Sequence, residues 1–431
     1  MTLPRLLVLM GSGETAPTMK APHREIFERI GGHHDHGTPI KAVLLDTPFG
    51  FQENAPILAE KAIEYFRDST FREVEVAGVG RTDTGDIVAL ESGIARIRSA
   101  EWVFAGPGSP TFALSQWVGT PIPDLLRQKL RTGGVVVFSS AAALTTGVKT
   151  VPVYEIYKVG IDPFWLDGLN LLAEVGINAA VIPHYNNTEG GNHDTRFCYL
   201  GERRLALLEP DLPGDAFVLG IDEHTGIIMD LDADTAEIIG RGVVTLRRDG
   251  VSFEIPSGGK VELDIIRSGG DRNVVRVIDS AAEAESIDGD ENKIVPVAES
   301  LQATQSQCEK AFEAAMQARN ADAAVAAVLD LDTAILEWSR DTLQSDQVDR
   351  ARSALRSMVI RLGSAAKGGL TDVREVIGPV VEAALEARRI ARQEKAWAVS
   401  DSLRDGLDNA GIEVRDTSDG VEWVVRASST S

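Results

Sequence analysis

Gly133-Gly134-Val135-Val136-Val137-Phe138-Ser139-Ser140-Ala141-Ala142-Ala143-Leu144 is the stretch that decides the fold. Val135 to Phe138 are consecutive β-branched or aromatic residues, the pattern of a strand buried on both faces in the middle of a parallel sheet. The run stops at two hydroxyls, and the three alanines after them are the strongest helix formers. Strand, serine-bearing turn and small-residue helix make up the geometry of a nucleophile elbow. There a serine oxygen stands above the sheet at the positive end of the following helix. The plainer alternative is that Ser139 and Ser140 cap a helix, a common place for serine. The two accounts weigh about equally on this stretch alone.

Working outward, the same rhythm recurs. Leu6–Met10 leads into Gly11-Ser12-Gly13-Glu14, and Lys41–Asp46 precedes a helical pattern over Asn54–Phe66. Glu73–Val79 and Trp102–Ala105 read as further strands. The last runs into Gly106-Pro107-Gly108-Ser109-Pro110-Thr111, where the prolines lack an N–H and leave Gly108 and Ser109 as donors at the sheet edge. This alternation predicts an open, mostly parallel α/β sheet. The glycine turn after the first strand is an incomplete G-x-G-x-x-G, so a tight turn is favoured over a dinucleotide site. Downstream, Asn178–Pro183 reads as a strand ending in His184, at the same edge as the elbow, which makes His184 a candidate general base.

The whole chain sets bounds. It has 431 residues, 43% hydrophobic and 25% charged, ordinary for a globular protein of two or three domains. Its 43 basic and 65 acidic side chains give a net charge of -22, which argues against non-specific nucleic-acid binding. Two cysteines, Cys198 and Cys308, fit a reducing cytoplasm, and no apolar run has the length of a membrane span. His33, His34 and His36 form the densest histidine cluster, but neighbours on a glycine-bounded loop seldom converge tetrahedrally, so neither metal nor cofactor is expected. From Asp279 to Asn292 the chain is acidic with little to pack; beyond it the sequence is alanine-rich and helical. The expected division is a 1–270 α/β domain, a 271–298 acidic linker and a 299–431 helical bundle ending in a small β-hairpin. Phe312, Met316, Val325, Leu329 and Ile335 fall at helical spacing and are expected in the bundle core.

Residues 1 to about 250 resemble peptidase family S51, the group holding cyanophycinase and dipeptidase E, whose fold looks like that of class I glutamine amidotransferases. The marks are Gly11-Ser-Gly-Glu14, the Gly106–Phe112 loop, Ser140, Glu155, His184-Tyr185 and Gly220-Ile-Asp-Glu223-His-Thr225. The resemblance implies Ser140 as nucleophile, His184 as base and Glu155 as the acid orienting it, with Gly108 and Ala141 N–H groups as oxyanion donors. It further implies a peptide or isopeptide substrate, beside aspartate by the family's taste, held by Arg196 or Arg203. The family elbow is G-x-S-A-G-A; Phe138 and Ala142 here stand where it has glycine, and Ser139 is the fallback nucleophile.

Glu386–Val425 resembles the tail of cysteinyl-tRNA synthetase, through Arg388-Arg389-Ile-Ala-Arg392, Lys395-Ala-Trp397, Ser400-Asp401 and Gly411–Trp423. Arg388, Arg389, Arg392 and Lys395 are the candidate RNA contacts, weighed against a solvated helix face. Residues 301–431 carry 16 basic against 21 acidic side chains, and motifs for amino-acid activation are missing, so aminoacylation ranks last. The expected partners are a peptide-like substrate, a tRNA or protein on the tail and a second copy in a homodimer, with no membrane. The rival to a hydrolase is a catalytically silent scaffold whose tail does the binding.

Overall fold

Alternate residues of β1 (Arg5–Met10) enter different cores. Leu7 and Leu9 pack on one face of the sheet; Leu6, Val8 and Met10 pack on the other. That partition explains why the strands read as unbroken apolar runs: both faces are covered. The computed structural model describes residues 3–31, 39–190, 193–270, 300–339, 347–368, 373–417 and 420–426. The histidine cluster at His33, His34 and His36 and the acidic linker lie outside the described residues.

After β1 come α1 (Lys20–Gly31), β2 (Ala42–Leu45), α2 (Ala55–Thr70), β3 (Val74–Val76), α3 (Ile87–Ser99), β4 (Trp102–Ala105), α4 (Pro110–Trp117) and α5 (Ile122–Thr132). The opening stretch is β5 (Gly134–Ser139) followed by the short α6 (Ser140–Leu144). A small pair, β6 (Lys149–Thr150) and β7 (Leu166–Asp167), precedes β8 (Ala179–Ile182), α7 (Gly201–Leu208) and β9 (Phe217–Ile221). The α/β part closes with β10 (Thr225–Asp230), β11 (Thr235–Gly240), β12 (Val243–Arg248), β13 (Val251–Pro256), β14 (Lys260–Glu262) and α8 (Leu263–Arg267).

Eight strands form the main sheet in the order β14-β11-β10-β1-β5-β4-β2-β3. Its β1–β5 portion is parallel, with β5 between β1 and β4, and β10, β11 and β14 extend it antiparallel. The strand before His184 does not join this sheet. It lies in a second one, β13-β12-β9-β8, parallel to β9. One link between the two sheets is the turn Asp222–His224, by which the chain leaves β9 and enters β10 beside β1. Gly11 N–H donates to Thr225 O at 2.9 Å, and Tyr185 N–H to Ile221 O at 3.1 Å, so both sheet edges are pinned to this crossing.

The chain divides into two compact units, the first reaching residue 299 and the second taking most of the remainder. The second holds α9 (Leu301–Gln317), α10 (Ala321–Trp338) as far as Ile335, α11 (Gln347–Gly368), α12 (Val373–Gln393), α13 (Trp397–Asn409) and the hairpin of β15 (Ile412–Thr417) with β16 (Gly420–Val425). Phe312 and Ile335 are buried as expected, but Val325 and Leu329 are exposed. In α10 the inward stripe is instead Ala324, Ala327, Leu331, Ala334 and Ile335.

Candidate active site

The turn after β5 carries its serine in a left-handed conformation: Ser140 has φ 50°. A non-glycine residue there is strained, and such strain gathers at functional sites. The two departures from the family elbow are absorbed by packing. Strand alternation sends Phe138 away into the core, fully buried, with its ring 5.7 Å from that of Trp117. Ala142 is buried too, its N–H donating to Gly106 O at 3.2 Å. Ser139 faces the opposite side and donates its hydroxyl to Glu14 Oε2 at 2.7 Å, both side chains being buried. The fallback serine is therefore engaged in a buried hydrogen bond.

Ser140 Oγ lies 2.9 Å from His184 Nε2. His184 Nδ1 lies 2.9 Å from Glu223 Oε1. An ionised carboxylate only accepts, so Nδ1 carries the proton, and the bare Nε2 accepts from the serine hydroxyl. Asn187 Nδ2 donates to the same Glu223 oxygen at 2.9 Å, and the Glu223 N–H donates to Asn186 Oδ1 at 2.9 Å. Burial pushes the Glu223 carboxyl up, but its hydrogen bonds from His184 and the Asn187 amide work against that, and the carboxyl is held below its ordinary value. His184 itself has φ 48° and His224, next to Glu223, φ 53°.

Glu155 does not take the place expected of it. It opens a single π-turn, Glu155–Val159, and its Oε2 is buried with no hydrogen-bond partner among the described residues. The carboxylate on His184 is Glu223, from the crossing between the two sheets. Its signal was present in the sequence, in Gly220-Ile-Asp-Glu223 at a strand end, but carried no assigned role.

A cavity of about 300 Å³ opens over Ser140 and His184. Gly106, Pro107 and Gly108 form one wall, and Gly108 needs to be glycine: at φ 144° a Cβ would stand 2.0 Å from Pro48 O. Ser109 N–H is spent on Pro48 O at 2.8 Å, whereas Gly108 and Ala141 N–H have no protein acceptor among the described residues. Arg196 and Arg203 are not among the lining residues. Arg196 is chelated by Asp194, with Nη2 2.8 Å from Oδ2, and lies over the Phe197 ring. The cation that does line the cavity is Lys158, exposed and 4.9 Å from the Tyr157 ring centroid. Among the described residues, no group of three or more His, Cys, Asp or Glu side chains is placed to hold a metal ion.

In the second unit, the basic strip of α12 does not form one free face. Arg388 is 4% exposed, on the inward stripe with Val381 and Leu385, because these residues recur at helical spacing. Arg389 is held by Glu386 through two bonds of 2.6 and 2.7 Å. Arg392 and Lys395 are exposed.

Residues 376–423 match the cysteinyl-tRNA ligase anticodon binding domain, as the resemblance of the tail leads one to expect. Cysteine–tRNA ligase of Pseudarthrobacter chlorophenolicus is 40% identical over 85 residues, which are 18% of this chain and 17% of that enzyme. The enzyme of Paenarthrobacter aurescens is 37% identical over 91 residues, 20% of this chain and 19% of its own. The chain thus spans under a fifth of the length of these curated relatives. Among solved structures, a peptidase from an acI-B1 actinobacterium aligns with 61% of this chain and 98% of its own, at 19% identity and a TM-score of 0.49. No helix among the described residues is long and apolar enough to cross a membrane.

Proposed function

We propose that the α/β unit is a serine hydrolase that cleaves a peptide or isopeptide bond. The observation that carries this is the continuous line of hydrogen bonds from Ser140 Oγ through His184 to Glu223, opening into a cavity. As Ser140 Oγ attacks the carbonyl carbon, its proton passes to His184 Nε2; Glu223 holds the ring in the productive tautomer and stabilises the imidazolium. Gly108 and Ala141 N–H are the donors assigned to the oxyanion. On collapse the C–N bond breaks, His184 returns the proton to the leaving amine, and water, activated by the same base, releases the acyl group. The two free cysteines, both buried, agree with a cytoplasmic setting.

The test is labelling with a fluorophosphonate probe, comparing wild type with Ser140→Ala and Ser139→Ala. Labelling lost in Ser140→Ala and kept in Ser139→Ala is the expected result. An unlabelled wild type would refute the reading and favour a silent scaffold.

A second reading concerns the tail alone, and the match over residues 376–423 favours it: this unit binds tRNA. Exposed Arg392 and Lys395 then replace the four-residue strip as contacts. Binding of the full chain to tRNA at low salt, weakened by Arg392→Glu, supports it; no binding at low salt removes it.

A further inference from the structure

Phe197, Cys198 and Tyr199 are three consecutive left-handed residues, with φ 61°, 54° and 65°. Residues other than glycine seldom visit this region, and then singly, because Cβ there crowds the following carbonyl oxygen. A run of three persists only where its surroundings fix it, and such strain gathers at functional sites. Here the segment that carries His184 does the fixing: Phe197 N–H donates to Tyr185 O at 2.9 Å and Cys198 N–H to His184 O at 3.2 Å. What the turn delivers is the Tyr199 ring, into the wall of the cavity with its centroid 6.4 Å from that of His184. The Tyr157 ring packs against it, centroids 4.9 Å apart at 30°, and Tyr199 donates its hydroxyl to Glu189 Oε2 at 2.7 Å. Burial and that bond push the Tyr199 hydroxyl above its ordinary range, so it stays protonated and keeps donating. Tyr154, Tyr157 and Tyr199, three of the chain's five tyrosines, line this one cavity.

We propose that Tyr199, packed on Tyr157, forms the leaving-group subsite and selects an amide whose departing amine carries an aromatic side chain. The proposal rests on the hydrolase reading above and deepens it on the side of the amine. His184 Nε2 returns the proton to the departing nitrogen, so the group beyond that nitrogen lies on the imidazole side of Ser140, where Tyr199 stands. A tyrosine wall suits a ring. It offers apolar area with few rotatable bonds, and ring pairs gain beyond their area in offset or edge arrangements. The charged groups nearby are engaged or in water: Glu189 accepts from Tyr199, and Lys158 is exposed, 4.9 Å from the Tyr157 ring centroid.

Acyl transfer tests the subsite without knowledge of the natural acyl group. p-Nitrophenyl acetate acetylates Ser140 and releases nitrophenol, and an added amine then attacks the acetyl carbonyl. The C–N bond forms, the ester C–O bond breaks, and the amine's proton passes through His184 to Ser140 Oγ. This step is amide cleavage in reverse, so the attacking amine occupies the leaving-group subsite. On the full chain, phenylalaninamide is expected to be acetylated faster than leucinamide by about 2- to 10-fold, and faster than alaninamide by about 10-fold or more. Tyr199→Leu is expected to abolish the preference for phenylalaninamide over leucinamide, and Tyr199→Phe, which keeps the ring, to retain it. Fluorophosphonate labelling of the same preparations reports on the serine independently and on whether each variant is folded. A labelled enzyme that favours another amine, treats the three alike or acetylates none overturns the subsite and leaves the activated serine standing. A preference that survives Tyr199→Leu unchanged overturns it too. An enzyme that neither labels nor releases nitrophenol overturns both readings.

Discussion

Glu223 meets His184 at 2.9 Å because the two follow neighbouring parallel strands, β9 and β8, of the second sheet. The carboxylate is aimed by the crossing from one sheet to the other, and its partners Asn186 and Asn187 come from the loop after β8. The line is complete only when both sheets are formed, since Ser140 follows β5 of the main sheet and His184 and Glu223 follow β8 and β9 of the second. Glu223→Gln keeps the shape but offers the ring an amide, so the histidine loses its fixed tautomer. The expected loss in kcat is about 10²- to 10⁴-fold, whereas Glu155→Gln stays within about tenfold of wild type. Equal losses in the two variants would return Glu155 to the role it was first given.

Ser139 and Ser140 are adjacent in sequence and opposite in consequence. Removing the Ser139 hydroxyl deletes a buried hydrogen bond to Glu14, a loss of about 1–3 kcal/mol in stability. Ser139→Ala is thus expected to unfold at lower urea concentration while still reacting with a fluorophosphonate. A variant that keeps its stability and loses labelling would make Ser139 the nucleophile.

Phe138 occupies a position where the resembling family has glycine, yet its ring packs on Trp117 in the core. Restoring the family residue opens a cavity of aromatic size, costing about 3–5 kcal/mol by comparison with large-to-alanine changes. Phe138→Gly should therefore destabilise strongly in urea denaturation and gain nothing in labelling rate. A rise in labelling rate would mean that the ring does obstruct the elbow.

Much of this was legible from local pattern because it was locally caused. Val135–Phe138 and Leu6–Met10 are apolar throughout since both sheet faces are covered, and the hydroxyl–alanine sequence after β5 marks the elbow. Ser140 and His184 follow at strand ends. The place of Glu223 beside His184 depends on the pairing of β8 with β9, a long-range contact that no periodicity records. Arg196 has the charge that a substrate carboxylate calls for, but Asp194, two residues earlier, chelates it away from the cavity. In α12 the arginines lie close together along the chain, while helical spacing sends Arg388 inward and leaves Arg392 outside.

His23 supplies a prediction in pH. Its ring is fully buried; Nε2 lies 2.9 Å from Glu14 O, and Nδ1 has no hydrogen-bond partner among the described residues. Burial lowers its pKa to about 4 from 6.5, against the smaller opposing effect of the Glu14 carbonyl. The unfolded chain therefore binds this proton more readily than the folded one. The contribution to stability is complete above about pH 6.5 and is lost as pH falls through about 4. Between pH 7.5 and 5 that amounts to roughly 2 kcal/mol, measurable by urea denaturation at the two pH values. His23→Phe should lack this part of the pH dependence. If wild type and variant lose the same stability over the interval, the histidine is not buried neutral.

The helical unit offers a test of phase. Leu329 and Leu331 are two residues apart in α10, yet Leu329 is 58% exposed and Leu331 fully buried. Residues two apart on a helix point in different directions, and in an alanine-rich segment either stripe satisfies the apolar spacing. Burial is what separates them energetically. Leu331→Ala removes buried methyl groups and leaves a void, for an expected loss of about 2–5 kcal/mol. Leu329→Ala lies at the surface and is expected to shift stability by no more than about 0.5 kcal/mol. Denaturation of the full chain monitored by helical circular dichroism reads both. A larger loss at Leu329 would mean that α10 presents the other stripe to its core, the one that apolar spacing first suggested.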